Sequence, residues 1–248
     1  MMKISIITAT FNSQKTIVHT VKSVQQQTYA NVEHIIVDGN SSDDTMNLVN
    51  SFNHIQKKIS EKDNGIYDAM NKGIELADGE IIGILNSDDF YADEFVLENI
   101  ATIFENENCD AIYGNLLYVD EDDINKVTRK WISGNHTKQS FLYGWMPPHP
   151  TFFIRKNCYE KFGKFNLNLG TAADYELMLR MVFKYEIKTS YLPETLVHMR
   201  SGGVSNKNLK RRLLANKNDR LAWKVNNLNP YWFTLFLKPL RKLNQFIK

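Results

Sequence analysis

Short apolar runs alternate with longer stretches of helical periodicity along the first half of the chain. The apolar runs indicate strands and lie at residues 4–8, 33–37 and 80–85. The stretches with helical periodicity lie at residues 13–27, 43–52, 67–77 and 93–105. This alternation predicts an α/β fold with a mainly parallel sheet and helices on both of its faces.

The second half of the chain has a less regular pattern. Residues 113–131 are acidic in the middle and are predicted to form a hairpin with an exposed turn. Residues 145–155 contain three prolines within four positions, which excludes a helix and indicates a constrained loop that enters a strand. A further helix is predicted at residues 174–184, and a helical tail at residues 206–248.

Polar and acidic residues follow three of the predicted strands. They lie at residues 9–12, 38–43 and 86–89, each directly after an apolar run. Because ligands of open parallel sheets bind at the carboxyl ends of the strands, three loops at the same edge predict a polar ligand pocket.

The loop after the third run ends in two adjacent carboxylates, Asp88 and Asp89. A hard divalent ion such as Mg²⁺ or Mn²⁺ needs only one or two protein carboxylates when phosphate oxygens and water complete its shell. The alternative is an ordinary turn, since Asn, Ser and Asp all favour turns.

Composition places the chain among globular proteins. It has 248 residues, 43% of them hydrophobic, and no apolar stretch approaches the length of a membrane span. The apolar run at the start is too short for a signal peptide, so a cytoplasmic location is expected. Cys109 and Cys158 are far apart and lack metal-ligand spacing, so both are predicted to be buried packing residues.

Charge is divided unevenly along the chain, although its formal net charge is only +2. Residues 204–248 carry 11 Lys and Arg against the single acid Asp219. A basic segment that is also rich in aromatic residues suits an anionic membrane surface. The alternative is a helix packed on the body with a solvated basic face. Nucleic acid is not an expected partner, because the body is acidic and contains no recognition module.

Six segments in order resemble the family 2 glycosyltransferases, which have the GT-A (Rossmann-like) fold, and among them bacterial enzymes of exopolysaccharide and O-antigen assembly. The resemblance covers about residues 3–205. The segments are Ile6–Asn12, Ile36–Gly39 with Ser41 to Thr45, Asp63–Gly73, Leu85–Asp89, Ala173–Glu176 and Gly202–Ser205.

The resemblance implies an inverting transfer of a sugar from a nucleoside-diphosphate sugar, expected to be UDP-linked, to an acceptor hydroxyl. The expected acceptor is a lipid-linked oligosaccharide for a bacterial surface polysaccharide. The enzyme would then work peripherally at the inner face of the plasma membrane. Residues 1–205 would form the catalytic domain, with a donor-binding half at about 1–110 and an acceptor-side half at about 111–205, followed by the tail.

The resemblance also assigns residues to the donor. Asp38 matches the aspartate that accepts a hydrogen bond from the nucleotide, and Thr8 and Ala9 would lie beside the base and contact it through backbone groups. Asp88 matches the metal-binding aspartate of the family's Asp-x-Asp motif, so Mn²⁺ or Mg²⁺ is the implied cofactor. Asn86 departs from that motif, since its first position is an aspartate in the family. Further donor contacts are expected from Ser87, Asp68 and Asn71.

For the acceptor side, Asp174 matches the acidic residue that acts as the general base. Asp is also a favoured residue at helix N-termini, which gives Asp174 a structural alternative. The family often has an acidic residue just before this aspartate, where this chain has Ala173. His149, between two prolines, is a candidate for a position beside the acceptor.

Two alternatives remain open from the sequence. A sugar-1-phosphate nucleotidyltransferase usually has a glycine-rich, basic phosphate loop after the first strand, and residues 10–15 contain no glycine. A non-catalytic subunit that binds nucleotide sugars is suggested by Asn86 and Ala173, the two departures from the family pattern.

Overall fold

The computed structural model describes residues 1–201 and 209–246, which include one sheet of nine strands. Residues 202–205, the last segment of the resemblance, lie outside the described residues. The strands are β1 (Ile4–Thr10), β2 (Val32–Asp38), β3 (Ile55–Ser60), β4 (Ile81–Ile84), β5 (Phe90–Tyr91), β6 (Ala111–Val119), β7 (Val127–Trp131), β8 (Phe153–Arg155) and β9 (Thr189–Arg200).

The helices within residues 1–201 and 209–246 surround the sheet. The α-helices are α1 (Ile17–Gln25), α2 (Thr45–Asn50), α3 (Ile66–Leu76), α4 (Val96–Asn106), α5 (Lys156–Phe162), α6 (Ala173–Met178), α7 (Leu209–Val225) and α8 (Thr234–Arg241). A π-helical turn, Leu179–Lys184, continues α6. Short 3-10 helices lie at Lys138–Tyr143, His149–Thr151, Leu167–Ala172 and Leu243–Phe246.

The order of strands across the sheet is β3-β2-β1-β4-β8-β6-β9-β5, with β7 paired to the later part of β6. The first four strands pair in parallel, which confirms the α/β alternation predicted for the first half. In the second half, β8 is antiparallel to β4 and β6, and β9 is parallel to β6. The predicted hairpin is confirmed by the antiparallel pairing of β6 with β7.

Two of the longer strands, β3 and β9, are absent from the sequence-based expectation, as is the two-residue strand β5. β3 lies at the edge of the sheet and contains two lysines, as edge strands often do. β9 contains Pro193, which normally argues against a central strand. The proline is accommodated where the pairing with β6 shifts, between Tyr191 and Thr195. The lysines of β3 and the proline of β9 therefore explain why the hydrophobic pattern did not indicate these two strands.

The sheet separates two main apolar cores. Helix α3 packs on one side with α6, where Met70, Ile74 and Leu177 are buried, and α4 packs on the other through Ile100 and Phe104. Both cysteines are buried, as predicted. This packing fixes the carboxyl ends of β1 and β4 and the start of α6, which are the elements that carry the candidate site.

The tail packs against the body over its described residues. Trp223 is 1% exposed and donates its indole N–H to the hydroxyl of Tyr175 at 2.8 Å. Lys238 forms an ion pair with Asp219 at 2.8 Å, and Leu235 is buried in the same core as Trp223. The described helices include none with the length and apolarity needed to cross a bilayer.

Candidate active site

A crevice opens where the strand order reverses between β1 and β4. Pairing of β1 with β4 ends at Ile7 and Ile84, whereas pairing of β1 with β2 continues to Thr10 and Asp38. The chain that leaves β4 therefore diverges from β1 near the end of the sheet. Such switch points are where open α/β sheets bind ligands.

Helix α1 holds the loop that follows β4. The hydroxyl of Thr20 donates to the carbonyl of Asp89 at 2.7 Å and approaches that of Ser87 at 3.0 Å. The hydroxyl of Ser87 also lies 2.8 Å from that of Ser13 in the loop after β1. Ser87, predicted as a donor contact, therefore links the two loops that border the crevice.

Asn86 to Asp89 form a tight turn at the bottom of the crevice. The backbone N–H of Asp89 donates to the carbonyl of Asn86, and the Asn86 amide donates to Asp89 Oδ2, both at 3.0 Å. Asp89 is fully buried, whereas Asp88 is half-buried. Asn86 Oδ1 and Asp89 Oδ1 are buried without a hydrogen-bond partner. Unpartnered buried oxygens cost about 1–3 kcal/mol each, which marks the turn as a place for a polar ligand.

The two carboxyl groups of this turn share one electrostatic environment. Burial raises the pKa of Asp88, and burial together with the Asp88 charge raises the pKa of Asp89 well above its usual value. The Arg200 guanidinium donates to the Asp88 carbonyl, and its charge acts in the opposite direction on both groups. Sequence reasoning missed Arg200, although it lies just before the motif at residues 202–205.

A third carboxyl group, that of Asp174, lies in the first turn of α6 near the same loop. Its Oδ1 accepts the N–H of Tyr175 at 2.8 Å, and its Oδ2 lies 3.4 Å from His149 Nδ1. His149 Nε2 in turn lies 3.4 Å from the amide nitrogen of Asn86. The fold thus brings together three predicted site residues, Asn86, His149 and Asp174.

Burial sets the protonation of the groups around Asp174. It lowers the pKa of His149, while the charges of Asp174 and Asp88 act in the opposite direction. Burial and the Asp174 charge raise the pKa of Tyr67. At neutral pH the imidazole is therefore uncharged and the phenol keeps its proton.

The side chains predicted to face the nucleotide lie in the interior. Asp38 is fully buried, and its Oδ2 accepts the N–H of Ser41 at 3.0 Å and the hydroxyl of Ser60 at 2.6 Å. The Thr8 hydroxyl lies 3.1 Å from His34 Nε2, and Ala9 is 4% exposed. Their roles in donor binding stay predictions, and Thr8 and Ala9 can act there only through backbone groups.

Asp68 and Asn71 on α3 contact protein groups. Asp68 Oδ2 accepts the backbone N–H of Asn64 at 2.9 Å. Asn71 both donates to and accepts from the backbone of Phe165, at 2.9 Å in each case. These bonds hold the start of α3 and join α3 to the segment after α5, so donor binding by either residue stays a prediction.

An exposed aromatic ring and a carboxylate lie beside the crevice and were not among the predicted site residues. Phe11, just after β1, is 62% exposed. A Cβ atom at Gly39 would lie 2.6 Å from Asp63 Oδ2 and 3.3 Å from Phe11 Cδ2, so glycine permits this close approach. A flat apolar face with an adjacent acceptor suits a nucleobase. Both residues belong to segments of the resemblance, which is the signal that could have identified them.

The residues of the turn fit a divalent ion that is shared with a ligand. Among the described residues, no cluster of three or more His, Cys, Asp and Glu could hold a metal on its own. The half-buried Asp88 carboxylate and the unpartnered Asn86 Oδ1 are oxygen donors of the kind that Mg²⁺ and Mn²⁺ prefer. Phosphate oxygens and water would complete such a shell.

Sequence comparison identifies relatives along most of the chain. A family model described as glycosyl transferase family 2 matches residues 5–169. A PGL/p-HBAD biosynthesis glycosyltransferase of Mycobacterium tuberculosis is 28% identical over 208 residues, covering 82% of this chain and 78% of that protein. An uncharacterized glycosyltransferase of the same species is 32% identical over 189 residues, covering 71% and 68%.

Solved structures share the fold at low sequence identity. Staphylococcus aureus TarS 1-349, in complex with UDP-GlcNAc, has a TM-score of 0.71 at 20% identity and covers 95% of this chain and 69% of its own. The mannosyltransferase PcManGT from Pyrobaculum calidifontis, in complex with GDP-Man and Mn²⁺, has a TM-score of 0.67 at 16% identity and covers 95% and 68%.

The fold matches that of GT-A glycosyltransferases, and the family model together with the relatives identifies an enzyme of the glycosyltransferase type. The chain belongs to glycosyl transferase family 2, because the family model spans more than half of its length. The resemblance found in the sequence is thereby confirmed.

Proposed function

We propose that the chain is an inverting glycosyltransferase that takes a sugar from a UDP-linked donor and places it on an acceptor hydroxyl. The observation that supports this proposal is that the charges of both Asp88 and Asp174 act on His149, which lies 3.4 Å from Asp174 Oδ2 and 3.4 Å from the amide nitrogen of Asn86. One carboxylate can serve the departing diphosphate, and the other the incoming hydroxyl.

Asp174 acts as the general base in this scheme. Its carboxylate takes the proton of the acceptor hydroxyl while the acceptor oxygen forms a bond to the anomeric carbon. The bond from that carbon to the diphosphate breaks, and the leaving group departs with the electron pair. Attack from the opposite face inverts the configuration, as expected for a single displacement.

Asp88 would hold Mn²⁺ or Mg²⁺ together with the diphosphate. When bound, the ion supplies Lewis-acid stabilisation of the charge that develops on the leaving group. Asn86 adds an uncharged oxygen, and buried Asp89 braces the turn through its bond to the Asn86 amide. The Arg200 guanidinium donates a hydrogen bond to the carbonyl of Asp88 and so stabilises the turn.

The nucleotide would lie over the carboxyl ends of β1 and β2. Phe11 offers an exposed ring to the base, and Asp63 an acceptor for an imide N–H such as that of uracil. Asp38 would act on this region through Ser41, which it holds by hydrogen bonds.

A donor screen tests the proposal directly. UDP-GlcNAc, UDP-glucose and GDP-mannose are compared by thermal unfolding with and without Mn²⁺. A donor at 100 times its dissociation constant adds about 2.7 kcal/mol, which corresponds to a rise of about 5–10 °C for a domain of this size. We expect a UDP-linked sugar to give that rise only when Mn²⁺ is present.

Other outcomes of the screen point to the alternatives. Stabilisation by no nucleotide sugar would contradict the proposal. Binding without release of UDP, in the presence of acceptor lipid extracts, would favour the non-catalytic subunit. Stabilisation by a nucleoside triphosphate with a sugar 1-phosphate would favour the nucleotidyltransferase.

We further propose that the acceptor is lipid-linked and that the tail rests on the anionic inner leaflet of the bacterial membrane. The tail exposes an apolar patch, defined as Tyr231, Trp232, Phe236 and Leu240. Trp232 is 82% exposed. Basic residues of the same segment, such as Arg241 and Lys242, are exposed beside it. Aromatic rings flanked by cations suit the headgroup region of a bilayer.

Point variants test membrane contact better than truncation, because Trp223 and Leu235 of the tail belong to the core. Replacing Trp232 and Phe236 together by serine should reduce sedimentation with phosphatidylcholine–phosphatidylglycerol vesicles by about tenfold or more, since each exposed ring loses about 1.5–3 kcal/mol of burial. The matched control is Phe95→Ser, which replaces an aromatic residue of 48% exposure directly before α4. Equal sedimentation of all three proteins would contradict the contact.

A further inference from the structure

Two side chains, His149 and Asn86, link the carboxyl groups of Asp174 and Asp89 in one line. Asp174 Oδ2 lies 3.4 Å from His149 Nδ1, and His149 Nε2 lies 3.4 Å from Asn86 Nδ2. The same amide nitrogen donates to Asp89 Oδ2 at 3.0 Å. Positions 86 and 149 are 63 residues apart, so only the fold creates this line.

The chemistry of the Asn86 amide sets the direction of these contacts. In the structure the amide turns its nitrogen toward Asp89 Oδ2 and its oxygen away, and Asn86 Oδ1 has no hydrogen-bond partner. The second hydrogen of that nitrogen then faces His149 Nε2, so this ring nitrogen accepts a hydrogen bond. The ring proton is therefore on Nδ1, opposite the Asp174 carboxylate.

The backbone around His149 is held firmly. Proline precedes and follows it, and both restrict the backbone of the 3-10 turn that carries the ring. The hydroxyl of Thr151 donates to the carbonyl of Pro148 at 2.9 Å, and the N–H of Phe152 donates to the carbonyl of His149 at 3.1 Å. The side chain of His149 is 29% exposed and borders the crevice, whereas the neighbouring residues Pro148, Pro150 and Thr151 are buried.

We propose that Asn86 and His149 are positioning residues for the general base: Asn86 keeps the proton of His149 on Nδ1, and that N–H orients the Asp174 carboxylate toward the acceptor hydroxyl. This inference rests on the proposed role of Asp174. It gives a reason for asparagine at position 86. An aspartate there would offer only acceptors to Nε2, would draw the proton to that nitrogen and would leave a lone pair facing Asp174.

The first test is the tautomer itself, which needs no substrate. The protein has six histidines, and in ¹H–¹⁵N correlation spectra of ¹⁵N-histidine-labelled protein the missing signals in His149→Asn assign His149. We expect a protonated Nδ1 and an unprotonated Nε2 in the wild type. Asn86→Asp should move the proton to Nε2 or protonate both nitrogens. A wild-type ring with its proton on Nε2 alone would overturn the inference.

The second test separates the two nitrogens by a matched pair of variants. The amide of asparagine reaches roughly the place of Nδ1 and can still donate to Asp174, whereas that of glutamine reaches roughly the place of Nε2 and cannot. With UDP-GlcNAc and Mn²⁺, and water or lipid extract as acceptor, UDP release by His149→Gln should have a kcat about tenfold or more below that of His149→Asn. The KM for the donor should be equal in both.

A double variant checks that Asn86 acts through His149. Asn86→Asp alone should lower kcat. Combined with His149→Gln, it should lower kcat little further, because the effects of coupled residues are not additive. Equal kcat values for His149→Asn and His149→Gln would overturn the inference. If the wild type releases no UDP from UDP-GlcNAc and no GDP from GDP-mannose while the Nδ1 tautomer is observed, the proposed function fails and the tautomer assignment stands.

Discussion

Asp174→Asn should lower the rate of sugar transfer by about 10²–10⁴-fold, the usual contribution of a general base. The amide has nearly the shape of the carboxylate but cannot take a proton from the acceptor hydroxyl. Its oxygen can still accept the N–H of Tyr175, the bond that Asp174 Oδ1 makes at 2.8 Å, so α6 should keep its start. Steady-state release of UDP measures the rate, and calorimetric titration with UDP measures donor affinity, which should change by less than about threefold.

Asp93→Asn is the matched control for this experiment. Asp93 Oδ1 accepts the N–H of Phe95 at 2.8 Å just before α4, so it too is an aspartate that binds a backbone N–H at the beginning of a helix. If Asp174 were only a residue of the helix start, both variants would keep nearly all of their stability, because asparagine serves at helix starts about as well as aspartate, and neither would lose turnover. Full turnover by Asp174→Asn would remove this residue from the base role.

The first half of the fold was predictable because each strand is a short buried run that ends in polar residues. β1, β2 and β4 lie within a few residues of their expected bounds, and the loops after β1 and β4 meet at the predicted edge. Local composition is sufficient there, because parallel strands buried on both faces are mostly apolar runs. β3 and β9 were not predicted, because β3 contains two lysines and β9 contains a proline.

The partners of the site residues were not predictable, because they are distant in sequence. His149 matches no local pattern that points to Asn86 or Asp174, and only the fold places it between them. Asn71 shows the opposite case: its type and position match the family segment, yet its amide is used on the backbone of Phe165, 94 residues away. A motif predicts which residue is present, whereas the fold decides what it contacts.

Asp88→Asn should remove the part of donor binding that depends on the metal. With Mn²⁺ present, we expect affinity for UDP-GlcNAc to fall by about 10²-fold, since loss of a charged ligand costs several kcal/mol and each 1.4 kcal/mol is a factor of ten. With EDTA in place of Mn²⁺, wild type and variant should bind equally weakly. Calorimetric titration under both conditions measures the difference.

Two further variants decide whether the metal depends on Asp88 itself. Asp122→Asn removes a charge from the exposed turn between β6 and β7 and should leave the Mn²⁺ dependence unchanged. Asp89→Asn alters a fully buried carboxyl that accepts the Asn86 amide, so it should lower the unfolding temperature while any folded protein still responds to Mn²⁺. A folded Asp89→Asn protein without that response would make Asp89 a ligand. An Asp88→Asn protein that keeps the response would show that the ion is held by other residues of the crevice.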